Sequence, residues 1–152
     1  MSILVTGGCG FIGTNFIANW FRQSDEHIVN IDCMTYAANT ACLHYPPHKN
    51  LTNLNVDIAD SQTVREIFHA HHPRAIVHFA AESHVDRSIT SADQFIKTNI
   101  NGTYALLVNA LNYVENEGSD IGDNFRFLHV STDEVFGSLQ PHESGFSETT
   151  AY

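Results

Sequence analysis

Charged residues are scarce in this sequence, and basic ones especially so. They make up 16% of the 152 residues, and 7 Lys and Arg stand against 17 Asp and Glu, which gives a formal net charge of −10. So acidic a chain lacks the basic surface that nucleic acid or an anionic membrane requires, and we expect neither partner. A phosphorylated small ligand is not excluded, because a few backbone N–H groups suffice to bind a phosphate.

Long apolar runs and patterned cysteines are missing too. No apolar stretch approaches the roughly 20 residues of a membrane span. A strand-like run from residue 2 onward leaves no room for a signal peptide. Cys9, Cys33 and Cys42 are odd in number and follow no spacing pattern, which favours a reducing compartment over a disulfide framework. The length and the 43% hydrophobic content fit one globular domain, and we expect it in the cytoplasm.

A glycine-rich turn near the N-terminus is the most informative stretch. Gly7, Gly10 and Gly13 are spaced by three, after an apolar run at residues 3–6 that is typical of a buried strand. Residues with helical spacing follow and form an apolar stripe: Ile12, Phe16, Ile17, Trp20 and Phe21. A strand, glycine turn and helix let the backbone approach a pyrophosphate and direct free N–H groups at it. We therefore favour a dinucleotide site over an ordinary tight turn.

The second predicted strand, 27–32, ends in a carboxylate. Asp32 follows Gly13 by 19 residues, a spacing at which a carboxylate can bind both adenosine ribose hydroxyls. It would repel a 2′-phosphate, and no arginine follows closely enough to clamp one, which favours NAD over NADP. Taken alone, Asp32 would be interpreted as a turn former.

The next segment predicts a long loop, a short strand and a helix. The loop covers residues 33–51, the strand covers 54–57, and Asp57 with Ile58 lies where an adenine can rest. Asp60 is a good N-cap for a helix to about His72. Three histidines at its end have no carboxylate or cysteine partner at ligand spacing, so we predict no metal there: His69, His71 and His72.

A fourth strand, 75–80, is apolar almost throughout, as expected when helices cover both faces of a parallel sheet. Small, hydroxyl and charged residues follow it at 81–88, where open α/β sheets bind ligands. Ser91 and Gln94 have capping-box spacing and predict a long helix to about residue 117. Thr98 and Asn99, near the helix start, can reach the same crevice. The apolar stripe of this helix is Ile96, Ile100, Tyr104, Leu107, Leu111 and Val114.

The fifth strand, 125–131, runs into Thr132, Asp133 and Glu134. Adjacent carboxylates at a strand end are often solvated turn residues. Close to one substrate, however, they can differ in pKa and serve as one acid and one base. Five strand–helix alternations predict a Rossmann-type doubly wound α/β fold with a parallel sheet in the order 3-2-1-4-5.

These motifs together resemble a known family. The glycine turn, Asp32, the run Ala80 to Ser88 and residues 98–103 are similar to extended short-chain dehydrogenases acting on nucleotide sugars. The run 129–137, with Thr132-Asp133-Glu134, closely resembles the signature of dTDP-glucose 4,6-dehydratases. Departures are mild: Cys33 and Met34 stand where Lys-Leu is common, and Phe136 where Tyr is usual.

The resemblance implies an internal redox cycle with NAD as cofactor and dTDP-glucose as substrate. Hydride leaves C4 of the hexose, water is eliminated across C5 and C6, and hydride returns to C6. Thr132 would hold the 4-hydroxyl, Asp133 would be the acid and Glu134 the base. The implied NAD contacts are Gly7, Gly10, Phe11, Ile12, Gly13, Asp32, Thr35, Asp57, Ile58, Ala80, Ala81, Thr98 and Ser131. The implied substrate contacts are Ser83, His84, Asp86, Arg87 and Ser88.

One part of the family pattern is missing. The family oxidises C4 with a Tyr-x-x-x-Lys pair on a helix beyond the fifth strand, and none follows that strand here. Tyr152 matches a tyrosine just before that helix. We therefore expect residues 1–152 to be an incomplete NAD-binding domain, inactive alone, without the sugar-nucleotide domain. The family's homodimers pair the long helix with the missing one.

Two other functions stay open. A 4-epimerase or decarboxylase of the same superfamily is disfavoured by Asp133-Glu134, because epimerases usually carry small hydroxyl residues there. A non-catalytic NAD-binding module is supported by the missing Tyr-Lys pair. A purely structural domain is the least favoured function, because three segments with residues typical of ligand binding follow strand ends.

Overall fold

The computed structural model describes residues 1–39, 48–117 and 123–152, which form a five-stranded sheet with helices on both faces. Its strands are β1 (Ser2–Thr6), β2 (His27–Asp32), β3 (Leu51–Asn55), β4 (Pro73–His78) and β5 (Arg126–His129). Every neighbouring pair is parallel, and the order is β3-β2-β1-β4-β5. The predicted fold and strand order are confirmed. The order reverses between β1 and β4, and open α/β sheets bind ligands at such a point.

Three helices of 10, 11 and 15 residues and four shorter helical segments accompany the strands in the described ranges. They are α1 (Phe11–Trp20), α2 (Ser61–His71), α3 (Val85–Thr90), α4 (Ala92–Phe95), a π-helix (Ile96–Gly102), α5 (Thr103–Glu117) and a 3-10 helix (Asp133–Phe136). The predicted N-cap of α2 is confirmed, because Asp60 Oδ1 accepts a 3.1 Å hydrogen bond from the Thr63 N–H. His72 ends α2 in the left-handed region, with φ of 44°.

The sheet is buried on both faces, and alternate residues of β1 enter different cores. Leu4 joins the core under α2 and α5, whereas Ile3 and Val5 join the core under α1. The residues of β1 are at most 2% exposed, as in parallel strands covered on both sides. On α1, Ile17 is buried, while Ile12 from the predicted stripe is 59% exposed.

The third strand differs from its prediction at both ends. It runs from Leu51 to Asn55 rather than over 54–57, because it pairs with β2 from Ile28 opposite Leu51 to Asp32 opposite Asn55. Strand pairing, rather than local hydropathy, sets these bounds. The fourth strand starts and ends two residues before its predicted range, and the fifth is shorter than 125–131. Asp57 and Ile58 still follow the carboxyl end of β3.

The predicted single helix from residue 91 is wrong in its start and its continuity. Helical structure begins at Val85, breaks at Ser91 and resumes as α4, the π-helix and α5. Ser91 makes no side-chain capping bond, and only its carbonyl accepts a hydrogen bond, from the Gln94 N–H at 3.2 Å. The predicted capping box is therefore not formed.

Most of the apolar stripe of this helix is exposed, and of its six residues Val114 packs against the core. Ile100, Tyr104 and Leu111 are 61%, 68% and 58% exposed. The opposite face of α5 is buried instead, through Ala105, Leu106, Asn109, Ala110 and Tyr113. This helix is apolar on two faces, and one of them packs on α2 and the sheet. We call the exposed apolar residues of α5 and of the π-helix before it the exposed face of α5: Ile96, Ile100, Tyr104, Leu107 and Leu111.

The cysteines also depart from expectation at one position. Cys33 is free and exposed, but Cys9 is disulfide-bonded. Cysteine spacing in sequence does not report which thiols the fold brings together. Residues 40–47 of the predicted 33–51 loop, with Cys42 and Tyr45, lie outside the described residues. No helix of the described ranges is long and apolar enough to cross a membrane.

Candidate active site

The glycine turn joins β1 to α1 through contacts that only glycine allows. Gly7 has φ of 69°, and a Cβ there would lie 2.6 Å from the Ala80 nitrogen. A Cβ at Gly13 would lie 2.3 Å from the Gly7 oxygen. Gly10, the N-cap of α1, provides no side-chain cap, so the first N–H groups of that helix face the cleft without one. This arrangement can receive a phosphate.

Asp32 fastens this turn to the end of β2. Its Oδ2 accepts a hydrogen bond from the Cys9 N–H and its Oδ1 accepts one from the Met34 N–H, both at 2.9 Å. Each carboxylate oxygen has two lone pairs, so both can still accept a ligand hydroxyl. The structure therefore shows a second, structural role for Asp32 beside the predicted one.

One cleft, which we call the β2-side cleft, lies between the glycine turn and the ends of β2, β3 and β4. Nine of the predicted cofactor residues line it: Gly7, Gly10, Asp32, Thr35, Asp57, Ile58, Ala80, Ala81 and Thr98. Apolar Ile31, Val56 and Phe79 contribute flat surface beside them. These residues are separated by up to 91 positions in sequence, and the parallel sheet brings them together at one edge.

A second cleft, the β5-side cleft, has a volume of about 950 Å³. It shares Phe79, Ala80, Ala81 and Glu82 with the β2-side cleft, so the two form one continuous groove. Predicted residues that line it are Ile12, Ser83, Ser88, Ser131, Thr132, Asp133 and Glu134. A groove with a phosphate-binding turn near its centre suits an elongated dinucleotide with a second ligand beside it.

Some predicted residues do not line either cleft. Phe11 is 86% exposed on the first turn of α1. Gly13 acts through its close contact with Gly7. The ring of His84 lies 6.2 Å from that of Tyr36, and Asp86 is exposed on α3. The Arg87 side chain lies outside the described part of the structure.

The carboxylate pair begins the 3-10 helix that follows β5. The Thr132 hydroxyl caps this helix by accepting a 3.3 Å bond from the Glu134 N–H, and it donates to Glu134 Oε2 at 3.3 Å. Asp133 and Glu134 are exposed to the β5-side cleft. One hydroxyl and two carboxylates therefore face the space beside the groove, which suits acid–base work on a bound ligand.

A buried histidine supports the floor of the groove. His78 Nδ1 lies 2.6 Å from Thr6 Oγ1, and its Nε2 lies 3.0 Å from Thr103 Oγ1. The Thr6 hydroxyl also accepts a 3.2 Å bond from the Ala80 N–H. Burial, assisted by nearby His129, lowers the pKa of His78 to about 4, so the ring is neutral at pH 7. This network joins β1, β4 and α5.

Three residues in or beside the clefts were not among the predicted site residues. Lys97 forms a 2.6 Å ion pair with Asp57, Cys33 lines the β2-side cleft, and Glu82 accepts a 3.4 Å hydrogen bond from the Tyr36 hydroxyl. Lys97 had one available signal, since it directly precedes the predicted cofactor residue Thr98. Nothing in the sequence pattern singles out Cys33.

The described residues support neither a metal site nor a catalytic Tyr-x-x-x-Lys pair. No group of three or more His, Cys, Asp or Glu is placed there to hold a metal ion. Tyr45 and Lys49 have Tyr-x-x-x-Lys spacing, but Tyr45 lies outside the described residues. Lys49 also precedes β3, on the far side of the sheet order from β5.

Comparison with known proteins agrees with this geometry. Residues 4–152 match the family model described as GDP-mannose 4,6 dehydratase. The dTDP-glucose 4,6-dehydratase of Salmonella typhimurium is 47% identical, and dTDP-glucose 4,6-dehydratase 1 of Escherichia coli is 45% identical. Each alignment covers 100% of this chain and 45% of the relative. The chain thus spans about half the length of the curated relatives it matches.

Solved structures show the same likeness. The dTDP-glucose 4,6-dehydratase DesIV of Streptomyces venezuelae, solved with NAD and TDP bound, has a TM-score of 0.84 at 36% identity, over 99% of this chain and 45% of that one. A UDP-glucose 4-epimerase of Thermotoga maritima gives 0.75 at 27% identity, over 92% and 41%. From the glycine turn to the carboxylate pair, the matched residues hold the whole groove, and the chain belongs to the GDP-mannose 4,6 dehydratase family.

Proposed function

We propose that this chain supplies the cofactor-binding domain and part of the active site of an NAD-dependent dTDP-glucose 4,6-dehydratase. One observation carries the proposal: Thr132, Asp133 and Glu134 line the same groove as the glycine turn. The relatives named as dTDP-glucose 4,6-dehydratases support the substrate. Residues 1–152 are then an incomplete Rossmann domain, and a sugar-nucleotide domain would follow in the complete enzyme.

The residues present fit NAD. Gly7 and Gly13 shape the turn that the pyrophosphate would approach, because a Cβ at either position would clash with backbone atoms of the protein. Asp32 would bind the adenosine ribose hydroxyls, and Asp57 with Ile58 would border the adenine. Ile12, Ala80, Ala81, Thr98 and Ser131 would line the path toward the nicotinamide, and Thr35 would lie beside the ribose. When bound there, NAD supplies a hydride acceptor that later serves as donor.

The carboxylate pair would carry the elimination. Glu134 would remove the C5 proton of the sugar, and Asp133 would protonate the departing C6 hydroxyl. Thr132 would hold the 4-hydroxyl through its Oγ1, which already bonds to Glu134. Ser83 and Ser88 in the β5-side cleft would bind the sugar nucleotide, with His84, Asp86 and Arg87 beyond them.

Two observations bear on the alternative functions. The 4-epimerase of Thermotoga maritima shares the fold at 27% identity, and the Asp133-Glu134 pair favours a dehydratase over that reaction. A non-catalytic NAD-binding module would need neither carboxylate. The position of Asp133 and Glu134 at the β5-side cleft therefore favours an enzyme over such a module.

The test compares Asp133→Asn and Glu134→Gln with the unchanged natural protein, in the longest form that its gene encodes. Loss of a general acid or base should lower kcat by about 10²–10⁴-fold, while NAD binding by calorimetry is unchanged. Product analysis should find a 4-dehydro-6-deoxy sugar nucleotide. Turnover that survives both substitutions, or a C4 epimer as product, would contradict the proposal. The 152-residue chain alone should bind NAD and not convert dTDP-glucose.

The surroundings of the enzyme follow from the same proposal. We propose a homodimer in which the exposed face of α5 is covered, and a cytoplasmic location where NAD and sugar nucleotides are present. We propose no nucleic-acid partner, in keeping with the net charge of −10.

A further inference from the structure

The Asp57 carboxylate is held from two sides. Its Oδ1 accepts a 2.9 Å hydrogen bond from the Ala59 N–H, and its Oδ2 lies 2.6 Å from Lys97 Nζ. Burial alone would raise the pKa of Asp57, but the Lys97 hydrogen bond, the Ala59 N–H and the Lys97 charge outweigh burial and lower it. Asp57 is therefore ionised at neutral pH, and its plane is fixed relative to the β2-side cleft.

The π-helix places Lys97 against this loop. At its other end Gly102 packs on Ile58, so closely that a Cβ would lie 2.6 Å from Ile58 Cγ1. Thr98, next to Lys97, lines the β2-side cleft. The following residue, Asn99, accepts from the Glu82 N–H at 2.8 Å and donates to the Glu82 carbonyl at 2.9 Å. Thr98 and Asn99 thus line the groove and Lys97 contacts a residue that lines it, in a type of helix that is rare overall but frequent at functional sites.

The ion pair adds little to folding stability. The side chain of Lys97 is 52% exposed and that of Asp57 34%, and solvent screens pairs this open. Its electrostatic effect on the cleft is larger, because Asp32, Asp57 and Glu82 bring three carboxylates to the lining and a dinucleotide is itself anionic. Lys97 is one of only two lysines in the sequence. The other, Lys49, lies before β3.

We propose that Lys97 is a positioning residue for adenine recognition: it orients Asp57 so that its carboxylate accepts a hydrogen bond from the adenine 6-amino group. This proposal rests on the proposed NAD site. A fixed carboxylate distinguishes an amino group at C6 from a carbonyl group there, because a carbonyl can donate nothing to it and repels it. Without Lys97, the carboxylate can turn toward solvent and loses part of this selectivity.

The experiment measures binding of NAD and of nicotinamide hypoxanthine dinucleotide, which carries a carbonyl at C6, to the 152-residue chain by calorimetry. The variants are Lys97→Met, Lys97→Arg as the conservative rescue, and Lys49→Met as a control with the same charge change. We expect the wild type to prefer NAD by about tenfold or more, since the analogue leaves a polar group unpaired. Lys97→Met should reduce this ratio to about twofold, while Lys97→Arg and Lys49→Met keep most of it.

The ratio separates positioning from general attraction. Loss of a positive charge alone would weaken both dinucleotides equally and leave the ratio unchanged, and that result would overturn the proposal while the NAD site stands. A wild type that binds neither dinucleotide would overturn the NAD site, and the Lys97 role with it. Thermal unfolding of each variant checks the fold, and an exposed ion pair should shift the midpoint by only a few degrees at most.

Discussion

The α-carbon of Gly7 lies directly against the backbone of Ala80, so that a Cβ at Gly7 would come within 2.6 Å of the Ala80 nitrogen and 2.9 Å of the Phe79 carbonyl carbon. These two backbone segments, at the ends of β1 and β4, form the middle of the groove. The contact leaves no room for any other residue at position 7, where φ is also positive.

Gly7→Ala should therefore destabilise the chain and abolish NAD binding. The clash with backbone atoms and the left-handed conformation together predict a loss of about 2–4 kcal/mol in the free energy of unfolding. Urea denaturation measures it. Gly145→Ala is the matched control, because a Cβ there has no atom within 4 Å. Equal stability of the two variants would contradict the close contact.

Buried His78 predicts a loss of stability in mild acid. Its pKa is about 4 in the folded state and about 6.5 when unfolded, so the unfolded chain binds more protons between these values. Stability contributed by the neutral ring is complete above about pH 6.5 and is lost as the pH falls toward 4. The expected loss between pH 7 and 5 is about 2 kcal/mol, measured by denaturation at each pH.

His78→Asn should flatten this pH dependence, although the variant starts from a lower stability because Thr6 and Thr103 lose a partner. His71 has a smaller effect of the same sign, since burial and the neighbouring His27 and His72 lower its pKa. His71→Asn serves as the comparison. A slope that is identical in wild type and His78→Asn would contradict the assignment.

Cys33 should be slow to alkylate, and NAD should slow it further. Although Cys33 is exposed as a whole residue, desolvation of its sulfur beside the cleft, with the charges of Asp32 and Asp57, raises the pKa of this thiol, so less reactive thiolate is present at pH 8. It also lines the cleft proposed for the adenosine. Iodoacetamide labelling followed by peptide mass spectrometry measures the rate, with Cys33→Ser identifying the peptide. Labelling at the rate of glutathione, unaffected by saturating NAD, would contradict the placement.

The exposed face of α5 predicts self-association of the 152-residue chain. Contiguous apolar surface of this kind marks an interaction site or an aggregation liability. Light scattering should give a mass above 16.9 kDa, and replacing Leu107 and Leu111 by Glu should restore the monomer without loss of helix signal. Leu139→Glu is the control, since Leu139 is 43% exposed outside this helix. A monomeric wild type would contradict the prediction.

Local motifs allowed most of the groove to be predicted. Gly7, Gly10 and Asp32 form a pattern whose geometry is set within one strand–turn–helix–strand unit, so spacing in sequence reports spacing in the fold. The strand order followed from the alternation of strands and helices. The position of Thr132, Asp133 and Glu134 was predictable because they follow β5, and the carboxyl ends of parallel strands lie at one edge of the sheet.

Features set by long-range packing were not predictable in the same way. The bounds of β3 depend on its pairing with β2, which local hydropathy does not encode. The face of α5 that packs on the core does not follow from the local pattern, because both faces carry apolar side chains of the same sizes: Leu106 and Tyr113 are buried, whereas Leu111 and Tyr104 are exposed. Lys97 was missed because its partner, Asp57, lies 40 positions earlier in sequence.

The π-helix makes this region sensitive to length. Its hydrogen bonds reach back five residues instead of four, so α4 and α5 are joined with one residue more than a continuous α-helix would use. Deleting one residue between Ile96 and Gly102 would remove the wide turn and let a regular α-helix run through, with α4 and α5 still in phase. Only the residues of the wide turn, among them Lys97 and Asn99, would change position relative to the groove. The π-helix therefore depends on the number of residues between α4 and α5 more than on the identity of any exposed residue in it.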